Sequence, residues 1–364
     1  MSNKRYVPHP GVYIDDIIKE MGITQSEFAS RVGLTSKNLS TLLSGESNIT
    51  FEIASKFADF FGNSVEGWIN LQTKYEIYKN EENKQNQIKE ECKIAKLIDT
   101  SFIKDIIENN ERFNYNEDLI LKLRKIFNVS SLINLKNKNL YLNFKTSAKK
   151  EVSETNVILR NAWISLADQC SRNVKVDVFN KDALVENLDT LRSLTLKKHN
   201  AFNGELQSFL SSLGIKLIVL PYLKNSNMSG VTKWNPNDQS VLIAINDYGK
   251  SIDRIWFTLF HELGHAIKNH KRTFNITYAD EDIEVEQENE ANEFAIVSLI
   301  DEEKYKAFVK KGRFSLISIN KFANEIGVGN FIVVGRLQRD GYIGYNEYNQ
   351  TKTGYIIKIN RYDL

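Results

Sequence analysis

Residues 253–267 read DRIWFTLFHELGHAI, and this stretch decides the fold of the C-terminal half. Its centre is His261-Glu262-Leu263-Gly264-His265, an HExxH pattern. On a helix, side chains four residues apart lie on one face. Both imidazoles can then hold one zinc ion, while Glu262 sits beside them to take a proton from water. Ile255, Trp256, Leu259, Phe260, Ala266 and Ile267 make the flanks apolar enough for a buried helix. A helix that merely carries two histidines is the blander reading, and the pattern alone leaves it open.

Catalytic zinc usually takes three protein ligands and leaves one position for water or substrate. The third is expected on another helix, and Glu288-Asn289-Glu290-Ala291-Asn292-Glu293-Phe294-Ala295 offers it. At about 100° per residue, Glu288 shares a face with Ala291, Asn292, Ala295 and Leu299. Those small and apolar residues permit a close approach to the HExxH helix. Glu288 is therefore expected as ligand, and Asn292, one turn on, as the partner that orients a histidine. Glu290 points roughly opposite and is the runner-up. Most acids between Asp280 and Glu293 read as a solvated face. His270 lies past the expected helix end and reads as a surface histidine.

A chain of 364 residues suggests two or three domains. With 41% hydrophobic and 26% charged residues, wholesale disorder is excluded. No stretch approaches the roughly 18 apolar residues of a transmembrane helix, and MSNKRYVPHPG lacks the apolar core of a secretory signal. Cys92 and Cys170 are too few and too far apart for a disulfide scaffold or a CxxC zinc site, and fit a reducing cytosol. The expectation is a cytoplasmic protein with no membrane partner.

The first 79 residues read as five short helices. Pro10 opens one that ends near Gly22. Thr24 caps the next, with Glu27 placed for a capping box. Thr35 or Ser36 caps the third, with Leu39, Leu42 and Leu43 inward. Thr50 starts the fourth and Ser64 the fifth, which runs to about Tyr75. The polar run 80–92 marks a domain junction. A helical stretch follows to about 133, and the basic segment 134–150, with Lys136, Lys138, Lys145, Lys149 and Lys150, is a second junction candidate. A helix over 154–171 precedes strands at Ile215–Val219, Val231–Trp234 and Val241–Ile245. The first strand alternates and stops at Pro221. Helices are predicted over 251–268, 285–300 and 315–325, and a terminal hairpin over Tyr342–Ile359.

Asp253 to Phe260 leading into HELGH resembles the ImmA/IrrE metallopeptidases. So do the ExEANxFA segment at 288–295, Val333-Val334-Gly335-Arg336-Leu337-Gln338, Gly230-Val231 and the strand Val241 to Asn246. The resemblance covers about residues 154–350. It implies a cytosolic zinc protease of a family in which several members cleave a DNA-bound repressor. Ile296 to Asp301 departs from the family pattern by lacking a proline. Residues 9–79 resemble the HigA-type helix-turn-helix antitoxins through His9-Pro10-Gly11, Ile23-Thr24-Gln25, Leu42-Leu43-Ser44-Gly45, Ile49-Thr50 and Trp68 to Gln72. In that class the second helix docks on the DNA backbone and the third enters the major groove. By that resemblance Gln25 contacts phosphate, and Ser36, Lys37, Asn38, Ser40 and Thr41 face the bases. Residues 1–79 hold eight basic and nine acidic residues, a balance of −1. Affinity for DNA leans on phosphate neutralisation, so a homodimer on a palindrome is expected rather than a monomer.

The expected fold class is multidomain. It comprises an all-α helix-turn-helix domain (1–79), a helical middle region (80–150) and an α+β zincin-like metallopeptidase domain with a small sheet (151–364). The expected function is a DNA-binding regulator with a zinc endopeptidase domain that cleaves a repressor, a partner or itself. The alternative is an antitoxin that represses its own operon and neutralises a toxin protein by binding, with the peptidase fold serving to sense or hold partners. Operator DNA and a repressor or toxin protein are the partners this implies.

Overall fold

Capping residues set most helix borders in this chain. The computed structural model describes residues 6–99, 102, 114–138, 140, 145–146, 153–197, 204–268 and 281–353. They divide into two compact units, 1–90 and 91–364.

In the first unit, α1 spans Pro10–Glu20, and His9 Nδ1 accepts the Gly11 N–H at 3.0 Å. The next three helices are α2 (Gln25–Arg31), α3 (Ser36–Leu43) and α4 (Phe51–Phe61). Thr24, Thr35 and Thr50 cap them, each hydroxyl accepting a backbone N–H three residues on. The capping box expected at Thr24 is only half made, because the Glu27 carboxylate turns to Arg31 instead. Leu39 and Leu42 are buried as expected, while Leu43 is half-buried. Ile14, Phe28, Leu39, Leu42, Phe57 and Trp68 form the core.

Helix α5 runs Val65–Ala95, far beyond the expected end near Tyr75. The run 80–92 belongs to this helix. It holds no Gly or Pro, and it is rich in Glu, Lys and Gln, which lose little rotamer freedom in a helix. The border between the two units falls within it, after Glu90.

The second unit begins with a buried carboxylate. Glu91 is 0% exposed, and Arg124, on α6 (Glu117–Ile126), grips it with Nε at 2.9 Å and Nη2 at 2.6 Å. The Ser131 hydroxyl and the Leu132 N–H donate to it as well, each at 2.9 Å. Burial by itself raises the Glu91 carboxyl. The bonds from Arg124, Leu132 and Ser131 outweigh it, and the net shift is downward. A depressed carboxyl stabilises the fold above its unfolded pKa of about 4.3 and loses that contribution as pH falls through the lower native value. Removing one partner of a buried pair typically costs about 3–5 kcal/mol. Arg124→Ala should therefore lower the urea midpoint strongly at pH 7, and the gap to wild type should narrow at pH 3. Equal midpoints at pH 7 would contradict this role.

Helix α7 (Glu154–Ser171) matches its expected span, and Ser153 and Asn156 close a full capping box. Its Trp163 Nε1 donates to the Pro221 carbonyl at 3.2 Å. Short helices α8 (Lys181–Glu186), α9 (Leu188–Ser193) and α10 (Glu205–Ser212) lead to the sheet.

The sheet has four strands in the order β1-β3-β4-β2: β1 (Lys145–Thr146), β2 (Ile215–Leu220), β3 (Gly230–Asn235) and β4 (Ser240–Asn246). Strands β2 and β4 run parallel, whereas β3 is antiparallel to both β4 and β1. The alternation expected for β2 is not a burial pattern, since all six positions are buried. Parallel pairing and the packing of α7 and α10 cover both faces. Lys216 is carried inside because its Nζ meets Asp238 Oδ2 at 2.6 Å.

Helices α11 (Ile252–Ile267), α12 (Glu281–Leu299), α13 (Glu302–Lys310), α14 (Leu316–Ile326) and α15 (Asn330–Arg339) complete the fold. Without the family's proline, α12 runs to Leu299, and Asp301 caps α13 directly. The expected terminal hairpin is absent from its described part. Residues 342–353 make turns and one 3-10 segment, anchored by the Gln338 side chain on the Glu347 carbonyl at 2.8 Å. Residues 354–359 of that expectation lie outside the described residues, as do His270, Lys149 and Lys150. The architecture is thus a helical first unit followed by a mostly helical unit with a small mixed sheet.

Candidate metal centre and nucleic-acid interface

Helix α11 lies against β3 and β4 and packs along α12. A Cβ on Gly264 would stand 3.1 Å from the Ala291 Cα, so the small pair Gly264 and Ala291 lets the two helix backbones approach closely. Ala291 and Ala295 are fully buried, while Glu293 and Val297 face outward. That rotation turns Glu288 toward the HExxH residues. Its Oε2 lies 3.3 Å from His261 Nε2 and its Oε1 lies 3.2 Å from His265 Nε2. The two Nε2 atoms are 3.1 Å apart. One ligand atom from each of His261, His265 and Glu288 falls within 4.8 Å of the others. Asn292 Oδ1 lies 3.0 Å from His261 Nδ1. An amide oxygen only accepts, so Nδ1 carries a proton toward it. Glu290 forms no part of this cluster.

Glu262 sits beside them, 1% exposed. The Thr232 hydroxyl on β3 donates to its Oε2 at 2.6 Å and lies 3.1 Å from its backbone carbonyl. Oε1 is buried and has no hydrogen-bond partner among the described residues. It lies against the β3 backbone, since a Cβ on Gly230 would come within 2.6 Å of it. Thr232 escaped the sequence reading, and Gly230 entered it only through the family resemblance, with no role at the site. They stand two apart and so share one strand face, but nothing in the sequence places that face against Glu262.

The electrostatics follow from burial and crowding. Burial pushes the Glu262 carboxyl up, only partly opposed by His261, His265 and Thr232. Burial also raises Glu288, but hydrogen bonds to His261 and His265 overwhelm it and bring its pKa to about 2. For His261, burial works downward, and bonding to Glu288 with the Glu262 and Glu288 charges reverses this to a net rise. Cys170 offers no competing nucleophile, because burial lifts its thiol to about 12.

In the first unit, α2 and α3 form the helix-turn-helix pair. Ser36, Lys37, Asn38 and Ser40 are exposed on α3. Thr41 is half-buried, and its hydroxyl is engaged with the Asn38 carbonyl and the Ser47 hydroxyl, each at 3.1 Å. Gln25 is the exposed first residue of α2, and its Nε2 donates to Asp15 Oδ1 at 3.3 Å.

Fold and site together define a helix-turn-helix protein with a second, HExxH-bearing α+β domain. The helix-turn-helix family profile matches residues 14–68, and that of the IrrE N-terminal-like domain, the M78 peptidase family, matches residues 210–338. The chain is 33% identical over 86 residues to virulence-associated protein A' of Dichelobacter nodosus, covering 23% of this chain and 68% of that protein. It is 31% identical over 70 residues to the HTH-type transcriptional regulator YddM of Escherichia coli K12, covering 19% of this chain and 74% of that protein. A crystal structure from Nostoc punctiforme, described as an antidote protein of a plasmid maintenance system, shares 26% identity, with a TM-score of 0.23 over 24% of this chain and 94% of that one. The chain belongs to the helix-turn-helix regulators and joins that domain to an IrrE-like peptidase domain. Among the described residues, no helix is long and apolar enough to cross a membrane.

Proposed function

We propose that this protein is a DNA-binding regulator whose C-terminal domain is a zinc-dependent endopeptidase acting on a repressor or another partner protein. The observation that carries this reading is the convergence of the buried His261 and His265 with Glu288, with the buried Glu262 alongside. The donor chemistry fits a divalent metal. The Glu288 carboxylate sets Oε2 3.3 Å from His261 Nε2 and Oε1 3.2 Å from His265 Nε2, so two imidazole nitrogens and a carboxylate converge on one point. Two imidazoles and one carboxylate form a known catalytic zinc set.

In this reading His261, His265 and Glu288 hold the ion, and Asn292 fixes the His261 ring and tautomer. The ion supplies Lewis acidity, which polarises a peptide carbonyl and acidifies water. Glu262 accepts the proton from water at Oε1, the oxygen left unpartnered, while Thr232 holds Oε2. A raised carboxyl pKa suits a base that must later return the proton to the leaving amine. The test is elemental analysis of the purified full chain. About one zinc per chain is expected, lost in His261→Ala and in His265→Ala. Equal zinc in wild type and both variants would overturn the assignment.

For the N-terminal domain, Gln25 touches phosphate and Ser36, Lys37, Asn38, Ser40 and Thr41 present the reading face of α3. The module's charge balance favours a homodimer on a palindrome. Lys37→Ala with Asn38→Ala should weaken binding to the operator by about 10-fold or more, at about 1–3 kcal/mol per base contact, and erase sequence preference in a footprint. An unchanged footprint would remove α3 from recognition.

A further inference from the structure

A cavity of about 690 Å³ opens beside the N-terminal half of α11, bounded by α15 and the turns at 345–353. It falls within the usual volume of a ligand pocket, roughly 300–1,000 Å³. Ser229 and Thr258 belong to its wall. Both border Gly230. The Thr258 methyl lies 2.9 Å, and Glu262 Oε1 2.6 Å, from where a Cβ on that glycine would stand. Arg254, Thr258 and Glu262 recur every four residues on α11 and so lie on one face. The cavity therefore ends at Thr258, one helical turn before Glu262, which itself does not line it.

Its charge is one-sided. Lys250, Arg254, Arg336, Arg339 and Lys352 line it, against Asp253 as the single acid. Lys352 Nζ neutralises Asp253 at 2.5 Å. Asp340 serves both Arg336 and Arg339, at 2.5 and 3.1 Å, and Glu302 reaches Arg336 at 3.3 Å. Five cations thus meet three carboxylates, two of which stand behind the wall. Lys250 and Arg254 have no carboxylate partner among the described residues, and Arg336 Nη1 is buried without a hydrogen bond. A concave site with surplus cations concentrates field and draws anions, and guanidinium groups match carboxylate and phosphate geometry.

We propose that this cavity is an anion-binding subsite, and that it takes an acidic side chain of a polypeptide bound to this domain. The assignment to a polypeptide rests on the peptidase reading above, whereas the anion site does not. Phe257, Ile296, Leu299 and Ile332 in the same wall supply the apolar surface on which a peptide backbone and its neighbouring side chains rest. A free organic anion or phosphate shares the chemistry and needs no such apolar surface.

The test uses calorimetric titration of the full-length Glu262→Gln protein, so that binding is read without turnover. The probes are a blocked pentapeptide with a central glutamate, its glutamine analogue, and inorganic phosphate. The glutamate peptide should bind about 10-fold tighter than its analogue, and raising salt from 50 to 500 mM should erode that preference. Arg254→Gln and, separately, Lys250→Gln should each reduce it, with thermal melts unchanged because both side chains are exposed. If phosphate binds and responds to Arg254→Gln while neither peptide binds, the anion site stands and the polypeptide assignment falls. If no probe responds to either variant, the subsite itself is overturned. Glutamate-selective binding by a purified full chain that holds no zinc would instead count against the peptidase reading and leave the subsite intact.

Discussion

Glu262→Gln should keep its metal and lose cleavage of the true partner by about 10²–10⁴-fold, the usual contribution of a positioned proton acceptor. The substitution is nearly isosteric. An amide oxygen still accepts the Thr232 hydroxyl bond of 2.6 Å. What disappears is the basic oxygen beside the Gly230 backbone. Because Glu262 is not among the clustered donor atoms, zinc content should match wild type. Undiminished cleavage would remove Glu262 from the chemistry. Loss of metal together with cleavage would make it structural instead. The assay uses the physiological substrate.

Glu288→Ala should release the metal as completely as His265→Ala, whereas Glu290→Ala should look like wild type. Both acids belong to one run, and composition does not separate them. The packing of α12 does. Ala291 and Ala295 lie at the α11 contact with no exposure, and Glu288 occupies the same side one turn earlier. Asn292→Ala should fall between the two, retaining metal at high zinc and binding it about 10–100-fold more weakly. This gradation across Glu288, Asn292 and Glu290 is read by competition with a chelator. If Glu290→Ala empties the site and Glu288→Ala does not, the ligand assignment fails, and the role given to Asn292 fails with it.

Much of the fold is legible because its signals are local. Thr24, Thr35, Thr50 and Ser153 each announce a helix start that is made by side-chain and backbone atoms only three residues apart. The face that carries Glu288 is legible for the same reason, since periodicity is a property of one helix. What is not legible depends on partners distant in sequence. The continuous burial of β2 arises from parallel pairing with β4 and helices on both faces, which alternation in one strand does not reveal. The bond from Thr232 to Glu262 spans thirty positions. The border between the units falls inside the polar run 80–92, yet the helix α5 continues through it, because its residues are good helix formers. The terminal segment failed because Tyr and Ile favour strands, while the Gln338 side chain pins the chain into turns.

The Thr232 hydroxyl also joins two structural layers that fold by different rules. Strand β3 pairs with β4 through Thr232 and Ile243, so a slip of one residue would turn the hydroxyl to the opposite face. The proton acceptor would then be left buried with neither oxygen bonded, a penalty of about 1–3 kcal/mol or more for a charged group. Sheet register and helix chemistry are therefore coupled in a single cooperative unit. Amides of Val231 to Lys233 should exchange with solvent only when the HExxH helix also opens, so that protection against exchange in β3 reports directly on the integrity of the chemistry above it.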